Sequence, residues 1–243
     1  MTMATLALFG KHPGLGDFVQ RGLTADEAQG LAGWLDPCLA AARAQAGDDW
    51  EALWDSARGL RFWWGRVLTG RTVAGILLPS RDKVGRRYPL ILSLGGAAVP
   101  SPMAATDQRL WQRMEALTER LEPGGGGLSG LAPDMLGLDD LGIADEPPEA
   151  LRDGAVVWAH RPGGNVVALL EEARPVDACR AATARTYWWH PGRDGGPAAF
   201  LGLNGWPDAG ALCWLLASGR PAAELAPAHE EPAAEGAAAD ASD

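Results

Sequence analysis

Residues 79–87 hold five charges in nine positions: Arg81, Asp82, Lys83, Arg86 and Arg87. Such a cluster can meet an anion or an acidic partner, or it can pair internally and stiffen a loop. Ser80 stands beside it and would need a base to act as a nucleophile. His12 could be that base if two loops distant in sequence met. No Gly-x-Ser-x-Gly elbow surrounds Ser80, so acyl transfer has residue types here but no framework.

Residues 10–17, GKHPGLGD, raise phosphate binding instead. A P-loop ends in lysine followed by Ser or Thr, where the lysine reaches the β- and γ-phosphates. Here Lys11 comes at the start, and the last glycine is followed by Asp17, an anion where an anion would sit. The dinucleotide fingerprint also fails, because Gly14 and Gly16 fit but position 19 is Val. Glycines that permit a tight turn give the simpler account. A nucleotide-binding switch or hydrolase built on this loop stands as the alternative function.

The remaining reactive side chains are dispersed. Histidines 12, 160, 190 and 229 and cysteines 38, 179 and 213 have no metal-ligand spacing and no CxxC pair. The acid pairs Asp139-Asp140 and Glu171-Glu172 are sequence neighbours, which on a strand would face opposite ways. Neither a metal, a cofactor nor an enzyme is therefore expected. The formal charge is −10, and six acids without a Lys or Arg lie in residues 221–243. Subtracting them leaves −4 for residues 1–220, which argues against a nucleic-acid binder with a large basic face. No run approaches 18 apolar residues and no secretory leader opens the chain, so a cytoplasmic protein is expected.

The charged cluster lies between two apolar runs, 73–78 and 90–94, the second bounded by Pro89 and Gly95-Gly96. A connection this short predicts an antiparallel hairpin. Upstream, 5–9 reads as a strand that runs into the glycine loop. Thr24 and Glu27 make a capping box, opening a helix through Ala42 with a kink or restart expected at Pro37. A short helix is expected over 49–57, a strand over 60–68 and a helix over 106–122. Residues 123–154 read as a Gly- and Pro-rich excursion within one domain, residues 1–220. Beyond it, 155–159 and 165–170 predict a hairpin about HRPGG, with further strands at 186–189 and 199–203. Asp208 caps a final helix over 209–218. Residues 221–243, without aromatics, predict a disordered acidic tail. Helices alternating with strands indicate an α/β fold on a central mixed sheet.

Three motifs carry a family resemblance. Residues 79–90 read Pro-Ser-x-Asp-x-Val-Gly-Arg-x-x-Pro-Leu, residues 10–18 read Gly-Lys-x-Pro-x-x-Gly-Asp-Phe, and residues 186–189 read TYWW. In this order they resemble the TagF (ImpM) family of type VI secretion accessory proteins, over roughly residues 6–217. The resemblance implies a three-layer arrangement with helices on both faces of the sheet. It also implies a cytoplasmic, post-translational repressor of type VI secretion acting through a forkhead-associated scaffold protein. A structural accessory subunit of the secretion apparatus is a third reading. The expected partner-binding residues are Lys11, Asp17 and Arg21 near one loop and Arg81, Asp82, Arg86 and Arg87 near the other. Trp188 and Trp189 are the alternative surface. Asp17 or Asp82 is expected to pair with an arginine of the opposite loop.

Overall fold

The structure, a computed structural model, describes residues 3–121, 130–146, 166–191 and 198–217. Its centre is a seven-stranded sheet of order β2-β1-β5-β4-β3-β6-β7. The strands are β1 (Thr5–Lys11), β2 (Phe18–Arg21), β3 (Leu60–Trp64), β4 (Val73–Leu78), β5 (Leu90–Gly95), β6 (Arg185–His190) and β7 (Ala199–Asn204). All six pairings are antiparallel, so the sheet is not mixed as expected from the alternation of helices and strands. The reason lies in the connections, because β1 to β2, β4 to β5 and β6 to β7 are each a direct return to the neighbouring strand.

Side-chain alternation divides the sheet between two cores. Phe9, Leu60, Phe62, Trp64, Val73, Leu77, Ile91 and Trp188 belong to one cluster, while Leu6, Leu8, Trp63, Ile76, Leu92 and Leu94 belong to the other. The first is covered by α1 (Ala25–Ala46), α2 (Trp50–Ser56) and α6 (Ala209–Leu216), which supply Leu31, Leu35, Leu53, Trp54, Leu212 and Leu215. The second is covered mainly by α4 (Arg109–Thr118), through Leu110, Trp111, Met114 and Leu117. Burial on both faces explains why β3 and β5 read as continuous apolar runs rather than alternating ones. The three-layer arrangement is present.

Local chemistry accounts for the helix ends. Thr24 accepts from the Glu27 backbone and Glu27 returns the bond to the Thr24 N–H, completing the capping box. Asp208 accepts from the Ala211 N–H and starts α6. α1 runs unbroken through Pro37, contrary to the expected restart. Pro37 cannot donate to the Gly33 carbonyl, but both residues are exposed, so the lost bond falls on the side where water replaces it.

Other differences have equally local causes. β3 ends at Trp64, because Gly65 starts a helical turn, α3 (Arg66–Thr69), where a strand through residue 68 was expected. α4 is shorter than the 106–122 pattern. The apolar run at 165–170 opens a helix, α5 (Val166–Ala182), instead of a strand. Its apolar residues continue directly into Glu171-Glu172-Ala173-Arg174, and helix formers over that length override a short β-branched start. β2 was not anticipated. The expected strand at 155–159, its HRPGG turn, residues 123–129 and 147–154 of the excursion and the acidic tail lie outside the described residues.

Candidate functional site

The β4–β5 hairpin and the β1–β2 hairpin end side by side, and their loops are joined. The Lys83 N–H donates to the Leu15 carbonyl at 3.0 Å, and Arg86 Nη2 donates to the Gly16 carbonyl at 2.7 Å. Gly10 makes this approach possible. Its φ is +120°, and a Cβ there would lie 1.9 Å from the Pro89 carbonyl oxygen. At Gly16 the space a side chain would take is occupied by the Lys83 stem.

Asp82 lies at the centre, 2% exposed. Its Oδ2 is 3.2 Å from Lys11 Nζ and 2.7 Å from Arg86 Nε, while its Oδ1 accepts from the backbone N–H groups of Val84 and Arg86. Burial opposes ionisation, but these four donors outweigh it and hold the carboxyl well below the usual carboxylate range. The expected cross-loop ion pair therefore forms at Asp82, with one correction. Its partner from the other loop is Lys11, and the arginine that binds it, Arg86, comes from its own loop. Asp17 is exposed and forms no ion pair among the described residues. Arg21 is also exposed, its guanidinium donating to the Gln20 carbonyl.

The arginines divide by role. Arg87 bridges to α2, with Nη1 2.9 Å from Glu51 Oε1 and Nη2 2.9 Å from Asp55 Oδ2. Hydrogen bonding to Arg87 holds the Asp55 carboxyl below its usual range, with burial opposing. Arg86 is spent on Asp82 and Gly16. Arg81 and Lys83 are exposed and form no ion pair among the described residues. Beside them a cleft of about 560 Å³ opens between α1 and the loop, lined by Asp36, Leu39, Arg43, Trp50, Arg86 and Tyr88. Tyr88 donates to Asp36 Oδ1 at 3.0 Å; burial first, then this bond, raises its pKa.

Among the described residues no hydrogen bond joins Ser80 to His12. The Ser80 carbonyl accepts from Trp54 Nε1 and the Tyr88 N–H. His12 is buried, and its Nδ1 accepts from the Gly14 N–H, which fixes the glycine loop. That loop leads into β2 rather than a helix, so no helix N-terminus faces a phosphate, and Lys11 is already engaged by Asp82.

Trp188 and Trp189 do not form a surface. Adjacent on β6, they point into opposite cores, 0% and 9% exposed. Trp188 donates to Thr186 Oγ and Trp189 to Gln108 Oε1. Sequence reasoning also missed Arg61, buried in β3, whose guanidinium grips both Glu115 oxygens and Gln108. The partners lie 47–54 positions away, and the only sequence signal is an arginine between apolar residues in LRFWW.

What these features define is a three-layer scaffold that presents a rigid, doubly anchored charged loop pair beside a cleft. Residues 7–124, which contain both loops, match the family model of the TagF N-terminal domain, described as type VI secretion system-associated. These residues form a TagF N-terminal domain, which makes the chain a type VI secretion-associated protein. It is similar in fold to PA0076 from Pseudomonas aeruginosa PAO1, whose crystal structure aligns with a TM-score of 0.61 at 23% identity. The alignment covers 87% of this chain and 94% of that one. No curated protein matches. No described helix is long and apolar enough to cross a membrane.

Proposed function

We propose that this protein is a cytoplasmic, post-translational repressor of type VI secretion that acts by binding a forkhead-associated scaffold protein. The observation that carries the reading is the loop 79–88 within the TagF N-terminal domain. Arg81 and Lys83 stand exposed on a backbone that Asp82, Lys11 and Arg86 make rigid. A preorganised cationic loop loses little entropy on contact, and arginine is enriched where interfaces hold most of their energy. Thr24, which is followed by Asp26 and Glu27, is engaged in capping α1, and the contact we propose is independent of phosphorylation and uses acidic groups on the scaffold.

The protein works by binding, not by turnover. His12 Nδ1 is engaged by the Gly14 N–H, and no hydrogen bond joins His12 to Ser80 among the described residues, which favours this reading over a hydrolase. The test is the double charge reversal Arg81→Glu and Lys83→Glu. Neither residue makes an ion pair among the described residues, so the fold should survive by circular dichroism. The variant is expected to lose the scaffold in pulldowns from cells with an intact secretion system, and to release repression. Normal capture and normal repression by a folded variant would place the interface elsewhere.

A further inference from the structure

On the α1 face of the sheet, register places a row of small residues across three strands. Ala7 lies opposite Ser93, and Ser93 opposite Gly75; in the next row Thr5 and Val73 flank Gly95. The Phe62 ring fills the space over Gly75, and the Arg71 guanidinium fills that over Gly95. Ala7 and Ser93 line the space between sheet and helix. Above them α1 contributes Gly30, whose missing Cβ would meet nothing within 4 Å. The result is a cavity of about 360 Å³ between sheet and helix, walled by Leu23, Leu31, Trp64, Val73 and Trp206.

Its polar groups are mostly donors. Ser93, 6% exposed, brings a hydroxyl to the lining. Trp64, 3% exposed, has a buried indole N–H with no partner among the described residues. Arg71 gives one N–H to Glu27, the only acceptor of its guanidinium among the described residues. An unpaired buried donor costs stability, so the Trp64 N–H on one lining with the Ser93 hydroxyl and the Arg71 guanidinium marks a place for an acceptor. Charge narrows the ligand further. Glu27 already neutralises Arg71, and Asp26 adds a negative charge to the lining. An anion is therefore disfavoured.

We propose that this cavity is a binding site for a small, uncharged, largely apolar molecule bearing a carbonyl or ether acceptor. The ring or chain packs against Trp64, Trp206 and Leu31, and the acceptor meets Ser93 and Arg71. Size and lining match those of small-molecule sites, which are mainly apolar with a few placed polar groups. The site lies under the N-terminal half of α1, and its occupancy would act on the helix that also walls the loop-side cleft.

Coumarin, a neutral bicycle with one ring carbonyl, is the probe, and coumarin-3-carboxylate is its anionic counterpart. Both are titrated into ¹⁵N-labelled full chain while the indole N–H resonances of Trp64 and Trp206 are followed. Coumarin is expected to shift them saturably, with the carboxylate about tenfold weaker or more. Ser93→Val should weaken coumarin about fivefold, by removal of one hydrogen bond. Gly30→Phe, placed on open space at the helix surface, should abolish saturable binding with the circular dichroism spectrum unchanged. The absence of saturable indole shifts up to the solubility limit of coumarin would overturn the proposal. So would an unchanged coumarin Kd in folded Gly30→Phe.

Discussion

Asp82 shows how one buried side chain can determine the shape of a surface. Four donors converge on a carboxylate that water does not reach, so the charge is retained only while the loops keep their geometry. Asp82→Asn is expected to lower the melting temperature by roughly 5 °C or more, whereas Asp17→Asn moves it by about a degree or less. Equal small losses would mean that Asp82 does not organise the loop. His190 makes the opposite kind of statement. It is buried, and desolvation chiefly, with a repulsion from Arg58, pushes its pKa below the usual histidine value. The unfolded chain then binds the proton more readily than the native one. Stability from neutral His190 is full above about pH 6.5 and is lost as pH falls toward the folded pKa. Melting temperature should decline from pH 7.5 to 5.5, and the decline should be shallower in His190→Gln.

Elements were legible where the sequence states its own boundary conditions. Two apolar runs with eleven residues between them defined the β4–β5 hairpin, and Thr24, Glu27 and Asp208 marked the starts of α1 and α6. β2 was not legible, because three of its four residues are exposed and it is held by pairing with β1. The first turns of α5 were misread since a short apolar run has no period of its own. Of the site, the identity of the two loops was visible in their charge and glycines. Which cation met which acid was not, because Lys11–Asp82 and Arg61–Glu115 are decided by strand register and helix packing. Backbone geometry at the loop junction gives a paired test. Gly10→Ala forces a side chain against Pro89 at positive φ and should cost at least about 2 kcal/mol. Gly33→Ala, on an open helical surface, should instead stabilise by about 0.5–1 kcal/mol. Chemical denaturation of both variants reads the difference directly.

At the scale of the molecule, seven strands separate two aromatic-rich cores, and seven of the ten described tryptophans are buried, with Trp34 and Trp206 half-buried and Trp214 exposed. Cys38 and Cys213 are buried in the core between α1 and α6, and burial raises both thiol pKa values, while Cys179 is exposed. Native protein should therefore show one thiol reacting rapidly with a disulfide reagent and two reacting only on unfolding. Three fast thiols would mean that the α1–α6 core opens readily. With most of the described tryptophans inside, the charged loop pair is the proposed recognition surface. The most direct test is the affinity of the purified chain for the forkhead-associated scaffold, compared with that of folded Arg81→Glu/Lys83→Glu. The double reversal is predicted to weaken binding about tenfold or more, and added salt to weaken the wild type. An unchanged Kd in the folded variant would contradict the account.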